Sequence, residues 1–133
     1  MRAAAALTVS VLFAAGCGGG NGKPKPIEGP AKEVAEVIQR FARATAARDF
    51  QTICTDLFAA TVRDQAGGDD CPRLLERRAE GIRRPRIQIV SIAVQKDRAR
   101  ARVRTSATGQ AAVDDEIRLV RESGTFRISS LGR

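Results

Sequence analysis

Few residues of this 133-residue chain are suited to chemistry. It has no His, Tyr or Trp, and only three Cys. A histidine base, a histidine metal ligand and a tyrosine acid are therefore excluded. Asp115 is the one carboxylate whose spacing places it on an inward strand face, between Val113 and Ile117. An apolar setting would raise its pKa and suit it to general-base work in a small isomerase, dehydratase or hydrolase. A solvated or paired carboxylate near a strand end is the plainer reading. Arg121 shares the face but lies about 20 Å along the strand, too far for a direct pair. Cys54 and Cys71 lack both CxxC spacing and histidine partners, which argues against a redox pair or a metal site. Four arginines, Arg98, Arg100, Arg102 and Arg104, alternate with Ala99, Ala101, Val103 and Thr105.

The N-terminus reads as an address. Met1-Arg2 precedes an apolar run from Ala3 to Ala15. As a helix, about 13 residues span about 20 Å, short of the roughly 30 Å hydrocarbon core, so the run reads as a secretory signal rather than a membrane span. It ends in Phe13-Ala14-Ala15-Gly16-Cys17. This resembles the lipobox of bacterial lipoproteins, with Ala14 where that family most often has Leu. The resemblance implies that residues 1–16 are removed and that Cys17 is diacylated. The protein would then sit in the cell membrane, on the outer face of the cytoplasmic membrane. Two acyl chains suffice for stable anchoring. Residues 17–30 (CGGGNGKPKPIEGP) are expected to form a flexible tether, and residues 31–133 the folded domain. Export to an oxidising space makes a Cys54–Cys71 disulfide the expectation. It would close a loop of about 17 residues and stabilise by roughly 3 kcal/mol in the chain-entropy view.

The domain reads as helices followed by strands. Val34, Val37, Ile38, Phe41 and Thr45 predict a helix over 31–48, with Pro30 in its first turn. Asp49 is a candidate N-cap accepting the Thr52 N–H. A second helix is predicted to bury Phe50, Ile53, Cys54, Leu57 and Phe58. It breaks at Ala66-Gly67-Gly68-Asp69-Asp70, and Pro72 starts a short third helix with Leu74 and Leu75 buried. The period then changes to two. Strands are expected at 86–95, 98–107, 112–122 and 125–131, with turns at Lys96-Asp97 and Ser123-Gly124 and a loop around Gly109. If that loop spans 108–112, Glu116 falls opposite Arg104 and Thr105 beside Asp115. The Lys96-Asp97 turn places Ile87 and Ile89 on the polar face. The fold class is α+β, three helices packed on a curved four-stranded antiparallel meander.

The element order, Ala47-Arg48-Asp49-Phe50 after the long helix, and Gly124-Thr125-Phe126-Arg127-Ile128-Ser129-Ser130-Leu131 at the end carry a resemblance. Over residues 31–133 the chain resembles the nuclear transport factor 2-like superfamily, in an exported lipoprotein form. The resemblance implies a cone, with a bent sheet around the long helix and an apolar pocket in its mouth. That scaffold hosts enzymes, ligand-binding domains and interaction modules alike. Its enzymes, such as ketosteroid isomerase and scytalone dehydratase, use pocket Asp, His and Tyr groups. The absence of His and Tyr here weighs against catalysis, and no cofactor or metal is expected.

The basic excess is 23 Lys and Arg against 15 Asp and Glu, a net charge of +8. It gathers on the Arg98–Arg104 ladder and on Arg73, Arg77, Arg78, Arg83, Arg84 and Arg86. Ladder side chains repeat about every 7 Å. The plain reading is a solvated face with weak cross-strand ion pairs. The sharper reading is an anion-binding strip for lipid head groups, wall polymer or an acidic protein. Nucleic acid is not the expected partner, given the export signal and the lack of stacking aromatics. The sequence thus predicts a non-catalytic, lipid-anchored domain that binds a small apolar ligand or an envelope or protein partner, with Asp115 chemistry as the alternative.

Overall fold

The computed structural model describes residues 25–132. The expected signal peptide, the lipidation site Cys17 and the tether up to residue 24 lie outside those residues. Lys25 to Gly29 is exposed and has no helix or strand. No helix among the described residues is long and apolar enough to cross a membrane.

Helix α1 (Pro30–Ala47) opens with proline in its first turn and buries Val34, Ala35, Val37, Ile38, Phe41 and Ala44. Spacings of three and four put these side chains on one stripe, which packs mainly against the first strand. Arg48 ends the helix in the left-handed conformation, φ 58°. Asp49 caps the next segment as expected. Its Oδ1 accepts the Thr52 N–H at 3.1 Å and its Oδ2 accepts the Thr52 hydroxyl at 2.8 Å.

The single second helix expected up to Ala66 is divided. After α2 (Phe50–Thr52) comes a π-helical turn over Ile53–Leu57, closed by the Phe58 N–H donating to the Ile53 carbonyl at 2.9 Å. The wider turn keeps Ile53, Cys54 and Leu57 in the core, while the backbone at Phe58 leaves in extended form. Phe58 bridges to Ile128, and the Ala59 N–H donates to the Ile128 carbonyl at 2.8 Å. An edge strand needs its exposed backbone groups covered, and this segment covers part of that edge. Helix α3 (Ala60–Gln65) follows, then a 3₁₀ turn (Gly68–Asp70) and α4 (Cys71–Arg78). The described residues therefore form four α segments, short or long, where three helices were expected. Leu74 and Leu75 are half-buried rather than buried. Cys54 and Cys71 form the expected disulfide, with Cα atoms 6.1 Å apart. Both are buried, joining the π turn to the start of α4.

The strands are β1 (Arg86–Gln95), β2 (Arg98–Ala107), β3 (Gln110–Glu122) and β4 (Thr125–Leu131), in the antiparallel order β1-β2-β3-β4. Two register details correct the sequence-based expectation. First, a bulge between Ile89 and Ser91 gives β1 one extra residue, Val90, which is 58% exposed. The extra residue reverses the phase, because strand side chains alternate with period two. Ile87 and Ile89 consequently face inward beside Ile92 and Val94, packed against the core instead of on the polar face. Second, β3 begins at Gln110, directly after the Thr108-Gly109 turn, with an irregularity between Thr105 and Ala107. The shorter connection moves the pairing by two residues. Arg104 lies opposite Asp114, Arg102 opposite Glu116, and Val103, not Thr105, opposite Asp115.

The inner face of the sheet (Ala99, Ala101, Val103, Ile117, Leu119, Phe126, Ile128) closes on α1 and the π turn in one core. Phe41 and Phe58 pack at 6.4 Å between ring centroids.

The candidate anion-binding face

Strict alternation in β2 dictates the geometry. Ala99, Ala101 and Val103 are buried, so Arg98, Arg100, Arg102 and Arg104 stand on the opposite, exposed face. The register to β3 then decides which of them acquire carboxylate partners. Arg104 pairs with Asp114 at 3.3 Å. Glu116 sits across from Arg102 but takes its close contact from Arg118, Nε to Oε1 at 2.7 Å. Arg118 itself lies opposite Arg100, two like charges side by side. Among the described residues, Arg98, Arg100 and Arg102 enter no ion pair.

Glu116 is one carboxylate within the field of several guanidinium groups. The Arg118 hydrogen bond is the largest influence; desolvation opposes it, and the Arg118, Arg100 and Arg102 charges add to it, so the carboxyl is held below the ordinary 4.5. It stays ionised and still leaves the face cationic, with five arginines against Asp114 and Glu116.

Beside this ladder runs a groove of about 750 Å³. Arg98, Arg100 and Arg118 supply its charge, Thr61, Gln95 and Ser129 its neutral polar groups, and Ala93 and Val120 apolar surface. Glu122 also borders it, but its carboxylate accepts the Ala60 N–H at 3.2 and 3.4 Å and is thereby turned to the start of α3. The sequence reading did not single out Arg118, Thr61, Gln95 or Ser129. Arg118 was visible as a polar residue on the outer phase of β3. The other three come to the groove from different elements, and only the fold joins them.

Asp115 is differently placed. It is half-buried near the loop end of β3, and its Oδ1 accepts the N–H of Glu116 at 3.2 Å. Gly132 packs beside it, and the Gly132 N–H is bonded to the Glu116 carbonyl at 3.0 Å. Thr105, expected beside it, instead donates its hydroxyl to the Val113 carbonyl at 3.4 Å. Val113, expected to face inward with Asp115, is 46% exposed. No acid or base partner accompanies Asp115 among its hydrogen bonds.

The interior of the cone is occupied by its own side chains. Phe41, Phe58, Ile117, Leu119 and Phe126 are all buried in one cluster. At one end Arg121 lies with its guanidinium 4.1 Å above the Phe126 ring. It donates to Glu33 at 3.0 Å and to the Gly124 carbonyl at 2.9 Å, and it lies 3.7 Å from Asp97. One side chain thus ties the first turn of α1 to two of the three hairpin turns of the sheet. Among the described residues, no group of three or more Cys, Asp or Glu side chains is placed to hold a metal ion.

The sequence matches no protein-family model, and it matches no curated protein. Solved structures do resemble the fold. A nuclear transport factor 2-like protein of unknown function from Silicibacter pomeroyi superposes with a TM-score of 0.54 at 19% identity, covering 75% of this chain and 90% of that one. A nuclear transport factor 2-like protein of unknown function from Shewanella baltica gives 0.51 at 15%, covering 75% and 88%. The solution structure of a SEC-C motif-containing protein from Rhodopseudomonas palustris gives 0.55 at 14%, covering 71% and 73%. At these identities the likeness is one of fold, and the fold is nuclear transport factor 2-like.

Proposed function

We propose that the protein is a non-catalytic, lipid-anchored domain on the outer face of the cytoplasmic membrane, and that the basic face of its sheet binds an anionic partner in the cell envelope. The observation that carries this reading is the row of Arg98, Arg100 and Arg102, exposed beside a groove and outside any ion pair among the described residues. Unpaired guanidinium groups on a rigid strand are preorganised donors for phosphate or carboxylate. The anchor rests on the Phe13-Ala14-Ala15-Gly16-Cys17 pattern. A small apolar ligand inside the cone receives no such support, because Phe41, Phe58, Ile117, Leu119 and Phe126 occupy that space. A general-base role for Asp115 lacks a partner group.

The test uses the chain from Gly18 onward, pelleted with isolated envelopes. It should sediment with them at low salt and release near about 0.5 M, where screening is short-ranged. Arg98→Gln/Arg100→Gln/Arg102→Gln should stay in the supernatant, and equal sedimentation of the two forms would remove the arginine face from the reading. The anchor is tested separately by the mass of the N-terminal peptide of the native protein. A diacylglyceryl group on Cys17 supports it, and a free Cys17 thiol rules it out.

A further inference from the structure

The groove lies at the end of the molecule where the tether enters, and this points to a specific ligand. Glu33, one turn into α1, is bonded to Arg121 of β3 at 3.0 Å. Arg121 alternates along β3 with Val120 and Glu122, which border the groove on the other side of the sheet. The start of α1 and the groove therefore lie on opposite sides of the same stretch of β3, with the Arg121 and Glu33 side chains bridging from that strand to the helix. Cys17 precedes Pro30 by 13 positions, a chain that spans at most about 45 Å when fully extended. A lipid at Cys17 keeps this end of the domain close to the head groups of its own leaflet.

We propose that the groove holds the phosphodiester head group of an anionic phospholipid in the membrane that carries the anchor, a proposal that rests on the lipid-anchored reading above. Arg98, Arg100 and Arg118 match a phosphate by fork geometry and charge. The Thr61 and Ser129 hydroxyls suit the ester and glycerol oxygens, and Val120 offers an apolar contact to the glycerol backbone. Charge complementarity also disfavours two other occupants. A second copy joined through the same face would set arginine against arginine. The protein's own residues 18–29 carry Lys23 and Lys25 against Glu28, so they bring net positive charge to a positive groove.

The experiment reconstitutes the full lipidated chain into vesicles and reads the rate at which phenylglyoxal modifies individual arginines. Two compositions are compared, phosphatidylcholine alone and phosphatidylcholine with about one third phosphatidylglycerol. In the anionic vesicles Arg98, Arg100 and Arg118 should react at least about fivefold more slowly, the factor expected for one well-placed basic residue at an anionic surface. Arg43 and Arg77 should react alike in both. Equal rates for the groove arginines in the two compositions would overturn the proposal. Protection in phosphatidylcholine vesicles by dissolved glycerol phosphate, matching that of the anionic lipid, would also overturn it, in favour of a soluble phosphate ligand. The anchor is read independently by flotation. A chain that does not float with phosphatidylcholine vesicles loses the anchored reading, while slower labelling on anionic vesicles would still support the head-group site.

Discussion

Glu116 shows how one residue sets the chemistry of the face. Its carboxyl is held below the usual 4.5, first by the Arg118 hydrogen bond and then by the surrounding arginine charges. A depressed carboxylate stabilises the fold above the unfolded pKa, and that contribution is lost as pH falls through the lower folded value. A carboxyl NMR titration should find Glu116 ionising below 4.5, and Arg118→Gln should return it toward that value. An ordinary titration in the intact chain would show that Arg118 is not its partner. Loss of Arg121 gives up two hydrogen bonds and a cation–π contact together. Arg121→Ala should lower unfolding free energy by about 1–2 kcal/mol in urea melts. An unchanged midpoint would mean the contacts are not maintained in solution. Asp115→Asn should leave the midpoint where it is, because the Asp115 side chain bonds only to the N–H of the residue that follows it.

Among the elements, those with a clean period were legible and those with an interruption were not. The 3.6 stripe of α1, the alternation of β2, the Asp49 cap and the Cys54–Cys71 pair all follow from local rules. Ile87 and Ile89 were misplaced because a bulge depends on the partner strand and the core, neither of which is written in RIQIVSIAVQ. The Arg–Glu pairing was displaced by two residues because the length of the Thr108-Gly109 turn decides it. The apolar spacing that predicts a helix through Phe58 holds no trace of the β4 edge, which takes that residue. Alternation alone puts Arg118 on the outer phase of β3, but only the β2–β3 register sets it opposite Arg100 and beside Glu116. The bulge can be tested by deleting Val90. Deletion joins Ile89 directly to Ser91, so Ile87, Ile89, Ile92 and Val94 keep facing inward in plain alternation against unchanged partners, and stability in urea melts should shift by less than about 1 kcal/mol. A loss of about 2 kcal/mol or more would show that Val90 is not merely the extra residue. Replacing both Cys54 and Cys71 with Ala should cost roughly 2–4 kcal/mol, read in the same melts.

For the whole molecule, the apolar core and the proposed binding face lie on opposite sides of one sheet. The inner side supplies the apolar core, while the outer side carries a net positive charge that Asp114 and Glu116 balance only in part. Arg100 faces Arg118, a like-charge pair that is unfavourable in itself. Arg100→Glu should therefore raise stability slightly, by about 0.2–1 kcal/mol, while weakening sedimentation with envelopes. A variant that loses both stability and sedimentation would place Arg100 in the fold rather than in the contact. This separation lets the outer face vary while the cone remains intact.

The Arg121 staple also defines a load path. In the lipid-anchored form proposed above, any pull on the preceding chain would enter at Pro30, the first residue of α1. Helices frayed from an end yield one turn at a time. Here the first turn is fastened through Glu33 to Arg121, and from Arg121 to the Asp97 and Gly124 turns. Under that anchoring, tension would reach two of the hairpin turns as well as α1, and the attachment point would be a clamp rather than a free helix end.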